Sequence, residues 1–318
     1  MYKKFFGLRE NPFNVNPDPR YLFSTPRTDE ALAGLTYGIK SRKGIILLTG
    51  EVGTGKTTLL NKLMDWLRGE QAATAFIFNT QLTVSELFDC LMADFGIPCE
   101  SRAKSDTLMR LNRWLLDRHR AGETAVLVLD EAQNLSAQLL EEIRLLTNLE
   151  TSTEKLLQIV LSGQPELEEK LKHPQLRQLW QRITVRCRTS PLSLEETHGY
   201  VAERLRVAGA NGEQIFSHEA IERVHDYAHG IPRVINVLCE YVLINAYVDQ
   251  QRTILVPLVD EVAREFELDC AEATASPSPS LRQDGCLAEE SVLQEYLSLL
   301  DRLGQPNSVC TEVRESKV

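Results

Sequence analysis

The nine residues GEVGTGKTT (50–58) limit what this chain can fold into more than any other stretch. They match G-x-x-x-x-G-K-[ST], a pattern that does its chemistry only between a buried strand and a helix. Both flanks fit. IILLT (Ile45–Thr49) is an unbroken apolar run of strand length, and helix-period sequence follows over 56–68. Gly50, Gly53 and Gly55 let the backbone turn tightly and approach an anion with no Cβ in the way. With Glu51, Val52, Thr54 and Thr58 completing the loop, the amides open the next helix, so its unpaired N–H groups and dipole face the phosphates of ATP. Lys56 reaches the β- and γ-phosphates, and Thr57 offers a hydroxyl to Mg2+. The alternative is a glycine-rich turn that happens to carry a lysine.

The pattern around this loop predicts an α/β fold. Apolar runs ATAFIFN (73–79), AVLVLD (125–130), LLQIVL (156–161) and ITVRC (183–187) alternate with helix-period stretches at 84–94, 106–120 and 136–149. Strands without polar alternation, separated by helices, indicate a parallel sheet covered on both faces. From Pro191 the sequence becomes helical throughout, with Ser, Gly and Pro at the boundaries. The expected organisation is an aromatic and proline-rich strap plus first helix at 1–43, an α/β core at 44–190, a helical lid at 191–268 and an acidic tail at 269–318. The tail opens on the Ser/Pro/Ala linker AEATASPSPS and carries one amphipathic stretch at 287–303.

A second motif gives the loop a reaction. AVLVLDEAQ ends a buried run in two carboxylates, at the strand edge where open α/β sheets bind ligands. Asp130 fits as the residue that holds the Mg2+ hydration shell, and Glu131 as the base that polarises the attacking water. IVLSGQPEL places Ser162 and Gln164 at the end of another core strand, where a polar side chain can touch the γ-phosphate or the water; a plain turn at Gly163-Gln164-Pro165 is the competing reading. HGIPRVIN puts Arg233 at a helix start, where an arginine can report the γ-phosphate to the lid. Arg177, Arg182, Arg186 and Arg188 offer a finger to a neighbouring subunit.

Composition excludes several classes. The net charge of −10, from 45 acidic against 35 basic side chains, argues against a general coating of nucleic acid. Arg9, Glu10, Asn11 and Pro12 interrupt the start too early for a targeting signal, and no run approaches the ~18–20 apolar residues of a membrane helix. The seven cysteines include no CxxC pair and fit a reducing cytoplasm rather than a disulfide framework or a thiolate metal site.

Taken together, FFGLRENPFNVNPDPRYLF, GIILLTGEVGTGKTTLL, VLVLDEAQNL, LQIVLSGQPEL, LRQLWQRITVRCRTSPLS and GIPRVIN resemble the AAA+ ATPases of the general secretion pathway protein A (ExeA-type) group, over residues 1–267. The resemblance implies a P-loop NTPase core with a parallel five-stranded sheet of order 5-1-4-3-2, a small helical lid, and an ATP-dependent homo-oligomer. It makes Gln164 the first sensor, Arg233 the second and Arg182 the trans finger. It implies a cytoplasmic ATPase energising or gating assembly of a cell-envelope system (secretion, pilus or polysaccharide export), with an envelope-assembly protein as partner and the tail as a candidate point of engagement. The alternative is an AAA+ regulator of a DNA transaction such as transposition, for which the arginines near 101–120 and after Leu176 would be used. A third reading, a slow nucleotide-dependent scaffold, sits badly with Glu131. Thr28 stands where the family carries a histidine before Glu30-Ala31-Leu32, and the transmembrane and wall-binding regions of larger members have no counterpart. Phe5, Phe6, Phe13, Tyr21 and Phe23 are expected to pack on the ATPase core beside the adenine, or to form a packing strap with no nucleotide contact.

Overall fold

Runs such as IILLT and AVLVL have nothing polar to offer solvent, so both of their faces must be covered. A computed structural model of the chain, which describes residues 1–78, 81–98, 103–212 and 214–268, shows how this is done. Strands β1 (Ile45–Thr49), β2 (Ala73–Ile77), β3 (Ala125–Leu129), β4 (Leu157–Gly163) and β5 (Ile183–Arg188) form one sheet of order 2-3-4-1-5. Read from the other edge this is 5-1-4-3-2, and every pairing is parallel. Successive side chains of a strand point to opposite faces. Ile45 and Leu47 therefore join one core with Leu127, Leu129, Ile159 and Leu161, while Ile46 and Leu48 join the other with Val126, Val128 and Val160.

The first face is covered by α4 (Val84–Asp94), α5 (Lys104–Arg120), α6 (Ala137–Leu146) and α7 (Pro165–Lys172); the second by α2 (Pro26–Lys40) and α3 (Lys56–Gly69). The strand ends differ slightly from expectation. β3 stops at Leu129, leaving Asp130 just beyond the ladder, and β4 runs on to Gly163, so Ser162 is inside the sheet rather than at its mouth. Helix α6 starts after its cap, with Ser136 Oγ accepting from the Leu139 amide at 3.2 Å.

Beyond β5 lie α9 (Leu194–Val207), α10 (His218–Ala228), α11 (Pro232–Val248) and α12 (Val256–Glu265), which enclose an apolar core of their own. Ser193 and Glu196 form a reciprocal capping box at the start of α9, which fixes where the linker from the sheet ends. The acidic tail and its amphipathic stretch at 287–303 lie outside the described residues.

The N-terminal strap packs differently from the expectation that its aromatics cover the ATPase core. Phe6, Leu8 and Phe13 are buried in the core of the helical lid, beside Val201, Phe216 and Val242. Phe5 meets Tyr247, and Phe13 meets Phe216, edge to face. Phe23 packs edge-on against Tyr200. Only after Asn16 does the strap turn toward the sheet: the Asn61 amide on α3 donates to Pro17 O at 2.6 Å. The reason is chemical. The lid helices leave apolar grooves that the large rings of Phe6 and Phe13 fill together with Leu8, whereas α2 and α3 already cover their sheet face with aliphatic side chains. Thr28 serves its own helix, with its amide donating to the capping Thr25 Oγ1 at 3.1 Å.

Phe13 is 1% exposed, whereas Phe78, at the end of β2, is 74% exposed. Phe13→Ala is expected to lower the unfolding free energy by about 3–5 kcal/mol, and Phe78→Ala to change it by about 0.5 kcal/mol or less. Urea unfolding of both variants checks the contrast.

Candidate functional site

The loop after β1 has the shape its glycines predict. Gly53 and Gly55 adopt φ of +79° and +93°, and Gly55 is the N-cap of α3. Side chains are excluded by close neighbours: a Cβ on Gly50 would lie 2.0 Å from Thr189 Oγ1. On Gly53 it would lie 2.8 Å from Arg233 Cβ. Thr54 Oγ1 donates to Glu51 O and meets Thr189 Oγ1, each at 2.7 Å, so the end of β5 braces the loop. Thr189 carries no sequence signal for this role, because it sits 135 residues away from Thr54 in the chain.

Lys56 is buried, and its ammonium donates to Gly50 O at 2.7 Å and Glu51 O at 2.9 Å. Burial pushes its pKa down, and the carboxylates of Glu131, Asp130 and Glu51 pull it partly back. Thr57 and Thr58 begin α3, and Thr57 Oγ1 donates to Asp130 Oδ2 at 3.0 Å.

The two carboxylates differ in how they are held. Asp130 is buried, and its Oδ1 accepts from Ser162 Oγ at 2.7 Å and from the Glu131 amide at 3.0 Å. Ser162, expected near phosphate or water, instead fixes Asp130 from inside β4. Glu131 is half-buried with φ +51° and ψ +38°, a left-handed backbone that a non-glycine residue adopts at a cost of order 1–3 kcal/mol. Its Oε2 accepts from Gln133 Nε2 at 2.5 Å, and Gln133 Oε1 accepts from the Gln164 amide at 3.2 Å. Gln133 thus ties the ends of β3 and β4 together, a role that only its place in DEAQ hinted at. A Cβ on Gly163 would lie 2.6 Å from Gln133 Oε1, so the small residue there is required.

Gln164 stands at the N-cap of α7, at the same strand edge as Asp130 and Glu131. Arg233 is brought in from the lid, with its amide donating to Gly53 O at 3.2 Å. Arg182 is placed elsewhere. It precedes β5, at the edge of the sheet opposite the phosphate loop, and its Nη1 donates to Arg144 O at 3.1 Å, Asn148 Oδ1 at 2.8 Å and Thr147 Oγ1. It therefore takes no part in this chain's own site.

The residues present fit a nucleoside triphosphate with its Mg2+: a cradle in which a Cβ would clash, a buried ammonium, and a hydroxyl in contact with a buried aspartate. Gly50, Glu51, Val52, Gly53, Thr54, Gly55, Lys56, Thr57 and Thr58 make up that cradle.

Comparison with known proteins agrees with this geometry. A family model described as an AAA domain matches residues 39–171. General secretion pathway protein A of Aeromonas hydrophila is 46% identical over 248 residues, which is 78% of this chain and 45% of that protein. The chain therefore spans less than half the length of that relative. Cdc6p from Pyrobaculum aerophilum superposes with a TM-score of 0.62 at 18% identity, covering 80% of this chain and 70% of that one. Drosophila ORC bound to DNA gives a TM-score of 0.62 at 19% identity, over 81% and 65% of the two chains. At these identities the two structures share the fold. The chain belongs to the AAA+ ATPases, in the group of general secretion pathway protein A.

Proposed function

We propose that this chain binds and hydrolyses ATP with Mg2+, and that it uses the cycle, as a cytoplasmic homo-oligomer, to energise or gate assembly of a cell-envelope system. The observation that carries the hydrolytic reading is the contact of Thr57 with Asp130, beside a second carboxylate that is held separately. Thr57 and Asp130 would hold Mg2+, which supplies charge neutralisation at the phosphates when bound. Lys56 exchanges its two carbonyl partners for phosphate oxygens. Glu131 takes the proton of the attacking water at Oε1, while Gln133 holds Oε2. Gln164 and Arg233 act as the two sensors, and Arg182 is the finger for a neighbouring subunit's site.

The envelope assignment rests on the relation to general secretion pathway protein A. The DNA alternative is weakened by what the arginines do. Arg110 pairs with Asp106, Arg118 with Glu123, Arg120 with Asp117 and Arg188 with Glu168, while Arg186 lies 3.7 Å above the Trp180 ring. Those groups are engaged within the chain rather than set out as a basic face.

Lys56→Ala should weaken binding of a fluorescent ATP analogue by about 100-fold or more, since it removes a buried charge-assisted contact of roughly 3 kcal/mol. Glu131→Gln should keep nucleotide binding while lowering phosphate release by about 100-fold or more; normal turnover in that variant would remove Glu131 as the base. In the source cells the Glu131→Gln chain should block envelope assembly dominantly. An intact envelope with a defect in DNA rearrangement would replace that reading by the alternative.

Gly53→Ala adds strain at φ +79° and drives a methyl into Arg233 and Ile231 of the lid. It should weaken nucleotide binding by about 10-fold or more while leaving the unfolding midpoint within a few degrees, as read by titration and thermal melting.

A further inference from the structure

On the lid, well separated in sequence from the phosphate loop, two imidazoles and a carboxylate converge. His198 comes from α9, and His218 and Glu222 from successive turns of α10. One ligand atom from each lies within 4.8 Å of the others. The two rings stack with centroids 4.0 Å apart and 19° between planes, and His218 Nε2 is 3.6 Å from Glu222 Oε1. His198 Nε2 is shut off from solvent and has no hydrogen-bond partner.

An ordinary ion pair does not account for this group. The His218–Glu222 contact leaves the buried His198 Nε2 without a partner. His225, on the same helix, is already engaged, with Nδ1 at 2.8 Å from Thr197 Oγ1. One divalent ion would satisfy all three groups together. Two imidazole nitrogens and one carboxylate suit Zn2+ and its neighbours rather than Mg2+ or Ca2+. Ligand atoms around a tetrahedral zinc are separated by roughly 3.3–3.5 Å. The His218–Glu222 spacing is already close to that, and the His198 ring joins them by turning out of its stack with His218.

We propose that His198, His218 and Glu222 form a binding site for a divalent transition metal of the Zn2+ class, which clips α9 to α10. These helices begin and end the path between the sheet linker and the Gly230 turn before Arg233, so the clip stiffens the lid rather than joining the reaction.

The test is equilibrium dialysis of the full chain against micromolar Zn2+ in excess Mg2+, with bound metal measured by atomic emission. One equivalent is expected, with affinity reduced at least about 10-fold in His198→Ala and in His218→Ala, lowered in Glu222→Gln and unchanged in Lys56→Ala. Zn2+ should raise the melting midpoint of the unaltered chain by a few degrees, and this rise should vanish in His218→Ala. The exposed position of His218 keeps that variant folded. Co2+ in the same site should show visible ligand-field bands without thiolate charge transfer, which separates it from binding at Cys90. No bound metal, or binding that survives both histidine variants, overturns the proposal.

Discussion

The burial of the Lys56 ammonium organises the rest of the structure. Burial lowers its pKa, so the charged form is the one the fold disfavours. That cost is present at neutral pH and fades only as pH rises through the lowered value. The fold offsets it in two ways: two loop carbonyls accept from Nζ, and two carboxylates face it from the end of β3, while the amides of the helix that follows, positive themselves, leave the space open for an anion. Each depends on strand order. With β1 lying between β4 and β5, the ends of both neighbours reach the loop: Gly163 O accepts from the Gly50 amide, and Thr189 braces Thr54. A charge kept buried at a helix N-terminus, with carbonyls as its only strong partners, is arranged for an anion to replace them.

The two adjacent carboxylates divide their work through their surroundings. Asp130 is clamped from the interior by Ser162 and met by Thr57, so both of its oxygens are engaged within the fold. Glu131 follows immediately but leaves the strand through a left-handed residue, which swings its side chain away from Asp130 toward Gln133. Two carboxylates on the same side would compete for one cation. Separating them by a backbone reversal suits the proposed division, one carboxylate for a metal and the other for a water. The strain at Glu131 is the local cost of that separation.

The placing of the candidate residues at the sheet edge was legible in the sequence because each motif is contiguous: the loop, the Asp-Glu pair and the Ser-Gly-Gln turn all lie within a few residues of a buried run. Strand β1 begins and ends where its apolar run does, and parallel order follows from strand–helix alternation together with the family resemblance. What the sequence did not disclose depends on long-range neighbours. Thr189 becomes a brace only because β5 adjoins β1, and Gln133 a clamp only because β3 adjoins β4. The His198 cluster needs two helices to meet, and its residues have no motif spacing. The strap aromatics advertise apolar area to be buried, but apolar area does not say which core receives it, and the lid rather than the sheet takes Phe6 and Phe13. Only the family resemblance singles out Arg182 in the sequence, and its contacts with the end of α6 and the loop that follows depend on the fold.

The strap connects these parts. Arg204 on α9 donates to Pro12 O and, at 2.8 Å, to both Asn14 O and Tyr200 Oη. Tyr200 in turn donates to Asn236 Oδ1 at 2.8 Å, and Asn236 lies one turn beyond Arg233, whose amide holds Gly53. On the other side the strap meets α3 directly, through Asn61 and Pro17. The contacts therefore close a ring: phosphate loop to lid through Arg233, lid to strap through Arg204, strap to α3 through Asn61, and α3 back to the loop. A ring of rigid links opens only where one link yields. Arg204 is buried, with rings of Tyr21 and Tyr200 against its guanidinium, so that joint is firm. The Arg233–Gly53 and Asn61–Pro17 joints are each a single bond at the protein surface or in a glycine turn. A lid movement coupled to nucleotide, as the proposed function requires, would therefore be taken up at the phosphate loop itself or in the exposed Asn14–Pro17 stretch of the strap.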